Sequence, residues 1–140
     1  MATHAKKRLI NNLNSKTMTT IKKIASEIRL SVKEFKGCKF SITTDINKIN
    51  VALIAAPFNA AVEENLSSYE KNNMYFGVNQ YYIKDCKKIT EPAKVIFNQI
   101  HEIIKKYHYD KSDAMIDYFD TNFYYDFQVG RFDKPFMINN

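Results

Sequence analysis

Cys38-Lys39-Phe40-Ser41-Ile42-Thr43-Thr44, then Asp45-Ile46-Asn47-Lys48, then Ile49-Asn50-Val51-Ala52-Leu53: apolar and polar residues alternate, break at a short polar link, and alternate again. A period of two sends successive side chains to opposite faces of an extended chain, so both runs read as half-buried strands. The link is too short for a crossover, which predicts an antiparallel hairpin ending before Pro57. A lone hairpin is marginal in water, so another element must cover its apolar face.

That cover lies immediately upstream. Ile21, Ile24, Ile28, Val32 and Phe35 recur at spacings of three and four, which predicts an amphipathic helix from Thr20, with Gly37 as its stop. Downstream, Thr90-Glu91-Pro92 is a helix start with a hydroxyl, an early carboxylate and a proline whose missing N–H costs nothing there. Ile96, Phe97, Ile100, Ile103, Ile104 and Tyr107 give that helix its buried face. Phe123, Tyr125, Phe127 and Val129 alternate with Tyr124, Asp126 and Gln128 as a third strand ended by Gly130. Between these, Asn59 is expected to cap a helix through Ala60, Val62, Leu66 and Tyr69 that ends at Lys71-Asn72-Asn73. Met74 to Lys88 reads as a loop with a short strand, and Ser112 as the cap of a short helix carrying Met115, Ile116 and Phe119. The expected fold is α+β: a small antiparallel sheet, hairpin plus C-terminal strand, packed against three or four helices. Residues 1–19 read as a basic N-terminal arm and 20–140 as a single domain.

With 140 residues the chain is long enough to bury one core without disulfides or metals. Its two cysteines, Cys38 and Cys86, are far apart and form no C-x-x-C pair, which suits a reducing compartment and gives no zinc ribbon. The start, Met1 to Arg8, is charged and lacks the apolar run of a signal peptide, and no stretch approaches about 20 apolar residues. A soluble cytoplasmic protein is expected. Net charge is +6 and unevenly spread: residues 1–50 hold 11 Lys/Arg against 3 Asp/Glu, while residues 91–140 hold 6 against 8. A basic first third suits an acidic partner, nucleic acid or an acidic protein surface, although solubility alone asks for the same charges.

The candidate sites follow from these patterns. Lys22, Arg29, Lys33 and Lys36 fall in a narrow arc at 3.6 residues per turn, a basic ridge that could meet phosphates, with Lys6, Lys7, Arg8 and Lys16 to extend it. Lysines also flank apolar helix stripes for packing reasons alone. Asp110, Asp113, Asp117 and Asp120 line one side of the expected short helix. Without a calcium loop or a histidine beside them they read as an acidic face for a basic partner, and no metal is expected. His101 and His108 are seven apart and could share a helix face, but Cys38 alternates with Phe40 and Ile42 as a buried thiol does, so catalysis is not expected. Gly37, Gly77 and Gly130 are the only glycines and none belongs to a phosphate-cradling loop, so no nucleotide cofactor, or any other, is expected. Tyr75, Phe76, Tyr81 and Tyr82 form an aromatic group suited to a protein interface or to stacking on unpaired bases.

The order helix, strand, strand, helix, with Cys38-Lys39-Phe40-Ser41-Ile42, the tail from Tyr109-Asp110-Lys111-Ser112-Asp113 to Asp117-Tyr118-Phe119-Asp120, and Gly130 to Phe136, resembles one of the large polyvalent-protein-associated domain families. The likeness covers residues 20–136; Ala55-Ala56-Pro57 stands where that family is expected to have a tryptophan and an Asp-Gly-Pro turn. The resemblance implies a phage or conjugative-element accessory protein, non-enzymatic, of the anti-defence kind that includes anti-CRISPR inhibitors. Such a protein would bind a host defence protein, a CRISPR effector nuclease for example. The alternative expectation is a basic accessory protein that binds nucleic acid directly. Exposed strand edges also admit a homodimer.

Overall fold

The computed structural model describes residues 21–108 and 123–139. They form an α+β fold built on a five-stranded mixed sheet. Helix α1 occupies residues 21–31 and passes into a 3-10 turn at Val32–Glu34. The stripe that predicted it is what it buries: Ile21, Ile24, Ile28 and Val32 all lie in the core. Gly37, at φ +82°, takes the left-handed backbone that turns the chain into β1 (Lys39–Asp45). β1 and β2 (Lys48–Ala56) pair antiparallel, Ile42 opposite Val51 and Asp45 opposite Lys48, which is the expected hairpin.

The sheet differs from expectation in sense. β4 (Tyr124–Val129) runs parallel to β2, with Tyr125 beside Ile49 and Phe127 beside Val51, so the sheet is mixed where an antiparallel one was expected. β3 (Phe76–Val78) pairs antiparallel with β4, and β5 (Met137–Ile138) runs parallel to the end of β2 at Ala55 and Ala56. The connection from β2 to β4 is long and contains α3 (Glu91–Lys105), the kind of crossover a parallel pair requires. With β1 on one edge and β4 and β5 on the other, β2 is walled on both sides. Its near-continuous apolar run from Val51 to Ala56 fits that position.

The helix expected from Asn59 is not formed. Asn59 instead accepts a hydrogen bond from the Ala61 N–H (3.0 Å), and the buried Ala60 and Ala61 segment pairs with the chain before α3. There Val62 N–H donates to the Lys88 carbonyl (2.8 Å) and Thr90 N–H to the Ala60 carbonyl (3.0 Å). Helix α2 (Ser68–Asn73) begins further on, where Ser67 and Glu70 form a reciprocal capping box, and it ends at the expected Asn73. Thr90 does precede α3, but its hydroxyl donates to the Asn59 carbonyl (2.8 Å) and does not cap the helix.

α1 and α3 share one face of the sheet and run antiparallel. Glu27 accepts from Lys106 Nζ (3.1 Å) and Tyr107 hydroxyl (2.9 Å), while Gln99 reaches Ser31 (3.3 Å) and Glu34 at the other end. Beneath them Ile49, Val51, Leu53, Tyr125, Phe127, Val129, Phe76 and Val78 join Ile96, Phe97, Ile100 and Ile104 in one core. The opposite sheet face carries Ser41, Thr43, Lys48, Asn50, Tyr124, Asp126 and Gln128, all exposed or half-buried. The expected N-terminal arm and the expected helix capped by Ser112 lie outside the described residues.

Candidate functional site

A cleft of about 310 Å³ separates the loop after β3 from α3. The loop contributes Tyr81, Tyr82, Lys84 and Asp85; α3 contributes Asn98, His101, Glu102 and Lys105. The loop is held by its own polar atoms: Asn79 Oδ1 accepts from Tyr81 N–H (3.0 Å) and the Asn79 carbonyl from Tyr82 N–H (3.1 Å). Gln80 Nε2 ties it to the Tyr125 carbonyl (2.9 Å), and buried Ile83 pins it to the core. So anchored, Tyr81 and Tyr82 still stand 63% exposed, two rings on a braced loop.

At the back of this cleft His101 Nε2 lies in hydrogen bond with the hydroxyl of buried Tyr125 (2.9 Å). Burial, more than the neighbouring Lys105 charge, holds the His101 imidazole below its usual range, so it is neutral near neutral pH. Burial first, then Tyr81, pushes the Tyr125 phenol up to about 12. His108 meets the same ring edge-on at 4.9 Å, and Phe123 at 5.0 Å. The histidines seven apart therefore do converge, on an aromatic cluster. Neither makes a described contact with a cysteine, and Cys38 sits among Phe35 and Phe40 with its thiol pushed up by burial. A neutral imidazole beside a protonated phenol can share a proton, but no nucleophile is brought to it among the described residues.

The other expected sites are placed as follows. Lys22 and Arg29 are exposed on α1, Lys33 on the 3-10 turn and Lys36 in the turn before Gly37, so the 3.6-residue period that aligned the four stops at Ser31. Arg29 donates to the Ile42 carbonyl on edge strand β1 (2.8 Å). Lys22, Lys33 and Lys36 make no ion pair among the described residues, whereas Glu27 of α1 pairs with Lys106 just beyond α3 and Glu34 of the 3-10 turn with Gln99 of α3. Phe76 corrects the aromatic group: it is a core residue, 3% exposed, because in β3 it alternates with Gly77 and faces the helices. Tyr75 is half-buried. Asp110, Asp113, Asp117 and Asp120 lie outside the described residues; among the described residues no group of three or more His, Cys, Asp or Glu is placed to hold a metal ion.

Sequence reasoning missed the open sheet face. Its strand residues were legible as the polar half of each alternation, but the Arg131-Phe132 turn that overhangs it was not. Arg131 Nη1 donates to Ser41 Oγ (2.8 Å) and Nε lies 3.4 Å from Asp133, while Phe132 is 79% exposed. Lys48 pairs with one Asp126 oxygen (3.0 Å); the other is shut from solvent with no hydrogen-bond donor among the described residues.

No described helix is long and apolar enough to cross a membrane. No family model matches the chain, and no curated protein or solved structure matches it either.

Proposed function

We propose that this chain is a non-enzymatic accessory protein of a phage or mobile element, an anti-defence inhibitor that docks on a host nucleoprotein effector of the CRISPR kind. The observation that carries the docking half of this reading is the pair Tyr81 and Tyr82, 63% exposed on a loop held by Asn79, Gln80 and Ile83 beside a cleft of about 310 Å³. Exposed tyrosines on a rigid support lose little entropy on binding and are the side chains that dominate protein interfaces. The anti-defence half rests on the family resemblance of the sequence. The test is inhibition of target-DNA cleavage by guide-loaded CRISPR effectors, with phage plating on a strain carrying the active effector as the cellular readout. Y81A/Y82A is expected to weaken inhibition at least tenfold while its far-UV circular dichroism matches that of the parent, the loss of the edge-on Tyr81–Tyr125 contact (6.4 Å) leaving the fold intact; inhibition by the variant equal to that of the parent sinks the reading.

A second reading, direct nucleic-acid binding through α1 and the turn after it, is favoured by one observation: Glu27 and Glu34 are tied to Lys106 and Gln99 while Lys22, Lys33 and Lys36 have no ion pair among the described residues. Reversing Lys22, Arg29, Lys33 and Lys36 together separates the readings. Duplex binding with a steep salt slope that vanishes in this variant would favour the second; intact function in the variant would end it.

A further inference from the structure

We propose that the open sheet face holds a subsite for one unpaired nucleotide of a nucleic-acid single strand, in the cavity beneath Phe132. The inference does not rest on the docking reading, since it uses other residues on another face. The cavity, about 170 Å³, is lined by Ser41, Thr43, Asn50, Ala52, Gln128, Arg131 and Phe132. It is smaller than the usual range for a drug-sized ligand, about 300–1,000 Å³, and suits a single ring system or sugar phosphate.

Three features select the occupant. First, the hydrogen-bonding groups of the floor are uncommitted: Thr43, Asn50 and Gln128 make no side-chain hydrogen bond among the described residues, although Asn50 and Gln128 are half-buried. Two amides offer donors and acceptors together, the combination a base edge requires and a simple anion does not. Second, the cation is already aimed. Arg131 is held by Ser41 at 2.8 Å and Asp133 at 3.4 Å, so its guanidinium need not be ordered on binding; Asp133 shares its charge, but no carboxylate is among the described residues that line the cavity. Third, Phe132 presents an aromatic face 79% exposed at the rim, a stacking platform that any base can use. A duplex keeps its bases stacked and its edges paired, and cannot enter.

The test is fluorescence anisotropy of labelled 12-nucleotide DNA and RNA single strands, each as homopolymers, against duplexes of equal length, over a salt series with the full chain. Single strands are expected to bind at least tenfold more tightly than duplexes. F132A is expected to lose about tenfold in affinity for them, the worth of one stacked base. R131Q is expected to weaken binding to all sequences and lower the salt slope by about one. N50A and Q128A should reorder the homopolymer ranking. Phe132 is on the surface, so its loss leaves the melting temperature unchanged, which shows that the variant has folded. Preference for duplex, binding of poly-glutamate in place of single strands, or full affinity in F132A overturns the proposal. Loss of binding only in the Lys22, Arg29, Lys33 and Lys36 reversal places the contact on α1 and overturns it too. None of these outcomes depends on Tyr81 or Tyr82, whose variant tests docking alone.

Discussion

His101, Tyr125 and Gly130 show how local chemistry sets the behaviour of the molecule. His101 has its pKa lowered chiefly by burial, with Lys105 and His108 adding to the effect and Glu102 opposing it. The folded value therefore lies below that of the unfolded chain, so as pH falls through the ordinary histidine range near 6.5 the unfolded state takes up the proton first. Stability is expected to fall as pH drops from about 7 down through the ordinary histidine range. H101Q should remove that step from urea midpoints measured across the range, and an unchanged step would exclude His101 as its source. Tyr125 predicts the opposite end: its folded value of about 12 lies above the ordinary phenol, so its stabilisation is complete below pH 10 and is lost as pH rises toward 12. Gly130 is held by space as well as by backbone. At φ +71° a Cβ there would lie 2.2 Å from the Met74 carbonyl oxygen, whereas one on Gly77 would meet nothing within 4 Å. Gly130→Ala should cost at least about 2 kcal/mol in urea unfolding, and Gly77→Ala should be neutral or stabilise by about 0.4–1 kcal/mol. Equal effects at the two positions would refute the steric account.

At the scale of elements, the hairpin, α1, α3 and β4 were legible because each carries its period in a single run of residues. What alternation does not encode is the partner. Phe123 to Val129 announces a strand with one buried face, yet whether it enters parallel or antiparallel depends on where α3 delivers it, and that is a property of the whole path. Met137–Ile138 is too short to carry a period at all. The misread stretch after Pro57 is a case of tertiary pairing outweighing propensity: Ala60 and Ala61 favour a helix, but the Ala60 carbonyl accepts from Thr90 N–H and the Val62 N–H donates to the Lys88 carbonyl. The better start signal was nearby, since Ser67 and Glu70 have the capping-box spacing. Ser67→Ala is expected to cost about 1 kcal/mol, although α2 buries no side chain, because the cap is much of what holds it. Thermal melts check this, and a loss below about 0.3 kcal/mol would mean that the Lys88 to Glu70 bond (2.7 Å) fixes α2 without the cap. For the candidate site, Tyr81 and Tyr82 were in view from composition, but their exposure follows from Ile83 being the loop's anchor. His101 and Tyr125 meet across chain distance, which spacing cannot show.

For the whole molecule, the two proposed contact surfaces lie apart because the core is one-sided. α1 and α3 cover one face of the sheet, and the core cluster runs without a break from Ile21 through the strands to Ile104. Phe97 is its keystone: fully buried, it stacks on Phe127 at 5.5 Å and so joins α3 to the central parallel pair. Phe97→Ala should cost about 3–5 kcal/mol, a large part of the 5–15 kcal/mol that holds a domain of this size. Because α1 rests on the same cluster, it is not expected to remain folded when α3 lifts away. Far-UV circular dichroism follows the helices, and the fluorescence of the nine tyrosines follows tertiary packing in a chain with no tryptophan. In both parent and variant the two signals should change at one urea concentration, lower in the variant. If the helical signal were lost first, α1 would be a separately folding cover, and changes on its basic surface could reach the sheet only through contacts such as Arg29 to Ile42. Coincident transitions instead mean that the open face keeps its strand register for as long as the helices hold the other side, which is the condition the proposed subsite on a two-layer fold must meet.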